Sequence, residues 1–152
     1  ICWLYACFCR ELPKRANACV FPFRKRGVYM FQNDWAMRQV EEIGRFLAKL
    51  LFNKETTIYE VITDENGNIT DEGLLYLELK TLLRQGRLNQ AENLLFERIN
   101  RGENLEYLEI AIDFYSQLNN LTDEYLEAHG FSREEVKEGL MEVRALYGIA
   151  DI

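Results

Sequence analysis

The sequence predicts an all-α domain of five or six helices, and three observations carry that reading. Apolar residues recur at the helical period along nearly the whole chain after Met30. Ser, Thr, Asn or Asp stands ahead of most of these runs, where a helix needs a cap. The links between runs are short, as they are between packed helices. At 152 residues the chain is one domain by length, large enough to bury a single core.

The first helix runs through "WAMRQVEEIGRFLAKLLFN", with Asn33 or Asp34 as its expected cap. Ala36, Val40, Ile43, Leu47 and Leu50/Leu51 fall on its apolar face. Residues 53–70 form the one irregular connector. Ile58, Val61 and Ile62 are β-branched and Asn66-Gly67 is a turn dipeptide, so a short extended piece fits there. Asp64, Asn66 and Asn68 alternate like the start of a calcium loop. The sixth loop position should then be Gly and is Ile69, and the twelfth should be Glu and is Leu75. The stretch reads as a polar connector, with no metal.

"DEGLLYLELKTLLRQGRLNQAENLLFERINRGEN" reads as an αα-hairpin. Leu75, Leu79, Leu82 and Leu83 make one stripe, and Leu88, Ala91, Leu94/Leu95 and Ile99 make the next. Gly86 breaks them, because glycine takes a left-handed C-cap without strain. The small Ala91 lets the two helices approach closely. In "NLEYLEIAIDFYSQLNNL", Leu105, Leu108, Ala111, Ile112, Tyr115 and Leu118 share a face. Thr122 caps a short helix that His129-Gly130 ends, and Ser132 with Glu135 forms a capping box for the last helix. That helix carries Val136, Leu140, Val143, Leu146 and Tyr147.

Composition divides the chain at Met30. The first 29 residues hold all four cysteines, both prolines, six Lys/Arg and one Glu; the remainder holds 12 Lys/Arg and 24 Asp/Glu, a net of −12. Arg24-Lys25-Arg26-Gly27 can be encoded by an unbroken run of A and G, two codons before Met30, as a bacterial ribosome-binding site would be. Residues 1–29 are therefore expected to be a translated upstream leader outside the fold, and residues 30–152 the domain. "ICWLYACFC" is too short to span a bilayer, and the spacing C-x4-C-x-C-x9-C lacks paired zinc knuckles.

The body excludes several chemistries. His129 is the only histidine, and no thiol follows Met30, so no Cys–His site can form there. Next to a helix-ending Gly, His129 reads as a partner of terminal carbonyls. No glycine loop for phosphates and no Glu-x-x-His pair is present. The acidic balance argues against nucleic acid, whose affinity rests on phosphate neutralisation, and against an anionic membrane.

The Gly86…Ala91 hairpin resembles a tetratricopeptide repeat, placing Leu75, Leu82 and Leu95 on the large apolar positions. Leu79 and Arg98 stand where that repeat expects small residues, and no second copy follows. "MFQNDWAMRQVEEIGRFLAKLLF", "LLRQGRLNQAENLLFE" and "FSREEVKEGL" together resemble a family of short all-helical proteins from Gram-positive bacteria of the clostridial kind, over residues 30–149. That resemblance implies a cytoplasmic protein and implies no activity, cofactor or site residue.

Two function classes follow: a non-enzymatic helical interaction or adaptor module, or a ligand-binding domain or enzyme with an unrecognised site in the bundle. A deep pocket with converging polar groups favours the second; an exposed aromatic patch favours the first. The first helix bears on this. Its apolar arc, from Phe46 through Leu47 to Ala48, covers roughly 200 degrees, about twice what one-sided packing needs. Either this helix is central and packed on both sides, or Trp35 and Phe46 at the arc's edge form a surface for a protein partner or a second copy.

Overall fold

The computed structural model describes residues 26–100 and 104–149, with side chains from Asp34 onward. Six helices appear: α1 (Arg26–Phe52), α2 (Asp71–Arg84), α3 (Leu88–Ile99), α4 (Leu105–Asn119), α5 (Asp123–Ala128) and α6 (Arg133–Leu146). Among the described residues the one sheet-like feature is an isolated bridge, Thr63 to Ile69. The fold is all-α, as the periodicity predicts. Most of the proposed leader lies outside the described residues.

The helix ends follow local chemistry. Thr70, Asn104, Thr122 and Ser132 each accept a backbone N–H of the first turn they precede. At Ser132 the exchange is reciprocal, since Glu135 accepts the Ser132 N–H at 2.6 Å. Gly86 takes φ +70°, and its N–H reaches Leu83 O while that of Arg87 reaches Leu82 O, both at 3.0 Å. This paired closure satisfies two orphan carbonyls and makes the α2–α3 turn tight.

The start of α1 differs from expectation. Asn33 and Asp34 lie inside it, and the helix begins at Arg26. A capping residue favours a start without forcing one. Within a helix, Asn and Asp cost only about 0.7 kcal/mol relative to Ala, and no proline lies between Pro22 and Asn33 to stop the chain.

The centre of the molecule is α4, so of the two readings left open for the first helix the central one does not hold. α4 packs against α1, α2, α3 and α6, whereas α1 packs mainly on α4 and α6. Leu108, Ile110, Ala111, Ile112, Phe114, Tyr115 and Leu118 of α4 are all buried. Leu105, expected on that face, is 53% exposed because it opens the helix at the edge of the bundle. Asn119 Nδ2 donates to Met37 O, and Lys54 pairs with Glu109, so α1 and α4 run antiparallel. Arg133 Nη1 donates to Asn119 O at 2.8 Å, and Tyr147 Oη donates to Asn104 O at 2.9 Å. These two ties set α6 antiparallel to α4, and hence parallel to α1.

One close approach fixes the α4–α6 packing. A Cβ at Gly139 would lie 2.2 Å from Tyr115 Oη. The bare glycine lets the Tyr115 ring pass α6 and donate to Glu92 Oε1 of α3 at 2.7 Å. Burial first, then the like charges of Glu135 and Glu142, push the Glu92 carboxyl up, against the lowering effect of that hydrogen bond.

Candidate functional site

Two surfaces could carry function, and they lie on different sides of α1. The first is its outer stripe. Trp35 and Phe46 are eleven residues apart and Phe46 and Leu50 four, so all three fall on one line of the helix. They are 56%, 38% and 58% exposed. Trp35 and Phe46 thus stand exposed. Leu50, placed on the buried face, is turned outward; that face is instead filled by Ala36, Val40, Leu47 and Ala48. Next to Trp35 a shallow groove of about 420 Å³ is bordered by Lys137, Glu138 and Met141 of α6. Lys137 Nζ stands 4.0 Å from the Trp35 ring centroid, a cation–π contact that leaves much of the indole uncovered.

The second surface is a polar cleft of about 840 Å³ between α1, α4, the start of the connector and the middle of α2. The connector lies against α1 at Gly44, where an added Cβ would make an ordinary contact with Thr57 Cγ2 at 3.5 Å. Thr57 Oγ1 then donates to Ser116 Oγ at 3.0 Å, which seats the connector on α4. At the floor lies Asp113, 3% exposed. One of its oxygens accepts the Tyr59 N–H at 3.2 Å and the other the Gln117 Nε2–H at 3.1 Å. Tyr76 lines the same floor; burial, then the hydrogen bond and charge of Asp113, push its hydroxyl far above the ordinary phenol range. Arg38, Arg45 and Lys80 border the cleft, with Asp34, Glu41 and Glu55 among them. Arg45 is held by Glu41, and Lys80 Nζ lies 5.0 Å from the Tyr76 ring centroid.

Sequence reading passed over this cleft. The signal was there in "IAIDFY", where Asp113 interrupts an apolar run of α4. Ile58, Val61 and Ile62 are exposed, and Tyr59 is the residue that buries, 3% exposed against Tyr76 with ring centroids 5.0 Å apart. Burial, then Glu106, Glu72 and Glu109, raise the Tyr59 hydroxyl to about 12. The calcium-like residues have a local role: Asp64 accepts the Asn66 and Asn68 N–H groups at 2.9 and 2.8 Å, closing the turn around Gly67. His129 Nδ1 contacts Tyr125 O at 2.7 Å, at the end of α5.

These features define a small all-helical domain with an exposed aromatic stripe and a polar cleft. The chain belongs to a family of unknown function, DUF6483, whose profile matches residues 30–148. No curated protein and no solved structure matches it. Among the described residues no helix is long and apolar enough to cross a membrane.

Proposed function

We propose that this protein is a non-enzymatic helical interaction module whose contact surface is the outer stripe of α1. The supporting observation is the alignment of Trp35, Phe46 and Leu50, all exposed, along roughly 22 Å of one helix face. Aromatic anchors of this kind dominate interface energies. The reading includes a cytoplasmic setting in a bacterium and a tetratricopeptide-like packing of the α2–α3 hairpin. Both rest on sequence resemblance, and the first also on the absence of cysteine after Met30.

The occupant proposed is a second copy of the chain. Glu42 and Lys49 lie on the same side of the stripe, seven residues apart and straddling Phe46. An antiparallel two-fold pairing about Phe46 therefore sets each Glu42 opposite the other copy's Lys49. Lys49 now reaches Glu55 at 3.2 Å, but both side chains are largely exposed, so that pair is weak and exchangeable.

Sedimentation of the full chain at micromolar concentration tests this. A dimer is expected, and Trp35→Ala with Phe46→Ala should return it to monomer with unchanged helicity. Glu42→Lys alone should weaken association, and adding Lys49→Glu should restore it. A strict monomer, or a dimer indifferent to these changes, overturns the self-pairing. The cleft favours a second reading, a ligand-binding domain.

A further inference from the structure

We propose that the cleft between α1, α4 and the connector binds a small zwitterion, a molecule carrying a protonated amine and an acidic group. The argument begins with Asp113. It sits near the middle of the most buried helix, and none of the ion pairs among the described residues includes it. A buried carboxylate without a cation costs several kcal/mol, and hydrogen bonds repay that only in part. Three donors reach it, the Tyr59 N–H, Gln117 and the Tyr76 hydroxyl, whereas a carboxylate offers about four acceptor positions. The remaining capacity faces the cleft, beside the Tyr76 hydroxyl.

A protonated amine completes this floor. It supplies both the missing positive charge and a donor for the acceptor position still unused. The near-complete burial of Asp113 and Tyr76 sets the size of what can arrive: a primary ammonium can touch them, while a nucleobase or sugar ring cannot lie flat on either. The rim carries both signs, but Glu41 is paired with Arg45 and Glu55 with Lys49, which leaves Arg38 and Lys80 against Asp34. Arg38 is exposed and takes part in no ion pair among the described residues, and half-buried Lys80 stands across the cleft on α2. A carboxylate or phosphate held there would be paired by flexible cations at the mouth, with its amine pointing inward. The polarity runs from an acidic floor to a rim whose ion pairs, among the described residues, leave two free cations, Arg38 and Lys80, and that order selects a zwitterion over a plain amine or a plain anion.

Calorimetric titration of the full chain tests the idea, with melting temperature as a second readout. The probes are the twenty free amino acids, phosphoethanolamine and glucosamine 6-phosphate, with ethanolamine and acetate as half-ligands. At least one zwitterion should bind below about 1 mM and raise the melting temperature, with each half-ligand at least about tenfold weaker. Asp113→Asn should cost about tenfold or more in affinity. Because Asp113 also holds the connector, Arg38→Gln with Lys80→Gln provides a second test at positions that bear little of the core. That pair should weaken zwitterions several-fold while leaving ethanolamine unchanged. The proposal is overturned if no zwitterion binds at about 10 mM, or if binding survives both variants at wild-type strength. Neither result bears on the α1 stripe, which lies on another face.

Discussion

α1 and α4 are both long and apolar, and their fates in the fold differ. α4 is buried on nearly every side and carries its polar exceptions, Asp113 and Asn119, inward. α1 packs along one side and leaves Trp35, Phe46 and Leu50 outside. The width of an apolar arc did not separate the two cases. The density of charge did: residues 110–118 hold one charged side chain, Asp113, while residues 38–49 hold Arg38, Glu41, Glu42, Arg45 and Lys49. A central helix has no solvent-facing side on which to place five charges.

Substitutions can break this comparison at the buried side first. Ala91 is fully buried in the α3 layer, so Ala91→Glu forces an unpaired charge into the core and overpacks it. We expect a loss of about 3–5 kcal/mol. A melting temperature within a degree or two of wild type would show the hairpin to be wrongly drawn.

Equivalent truncations in the two helices come next. Leu118→Ala in α4, at 0% exposure, should cost about 2–5 kcal/mol, and Leu50→Ala in α1 within about 0.5 kcal/mol. Denaturant unfolding measured on the monomer distinguishes them. Equal losses would mean that α1 is as enclosed as α4.

A smaller effect concerns pH. The folded-state pKa of Glu92 is raised by burial, so the folded protein holds that proton more tightly than the unfolded chain. Its contribution is complete below the ordinary value of 4.5 and is lost as pH rises through the folded pKa. Glu106, raised by burial and then by Glu72 and Glu109, acts in the same direction. Wild type should therefore gain melting temperature relative to Glu92→Gln as pH falls from about 7 to about 5. Parallel pH profiles for the two proteins would contradict it.

The smallest effect is expected at the other end of the chain. Removing residues 1–29, read as a leader, should leave the melting temperature and the helicity of the remainder unchanged. A large drop would make those residues part of the fold.

Much of the architecture was legible because its signals are local. Thr122, the Ser132–Glu135 box and the Gly86 turn act through neighbours within a few residues, and each ends or starts a helix where the sequence placed it. The layer order was not legible, since it depends on contacts such as Asn119 to Met37, 82 residues apart. The cleft was missed for the same reason. Asp113 stands out in its apolar run, but the cleft exists only once Tyr59, 54 residues earlier, is brought onto it by the connector. Helical periodicity sets Trp35 and Phe46 at the edge of the α1 arc, and their exposure follows from what does not pack over that edge.

The position of α1 also carries a consequence for synthesis on the ribosome. Its two supports, α4 and α6, are the fourth and sixth of the described helices in chain order. Ninety-four residues separate Phe52 from Leu146, so at about 5–20 residues per second the inner face of α1 waits on the order of 5–20 s for its partners. During that interval Val40 and Leu47, fully covered in the finished fold, face solvent or whatever binds nascent chains. The α2–α3 hairpin, closed by a three-residue turn, has no such delay. The first of the described helices to emerge is the last to become secure, and a chain stalled before α6 should be cut by protease within α1 before it is cut in the hairpin.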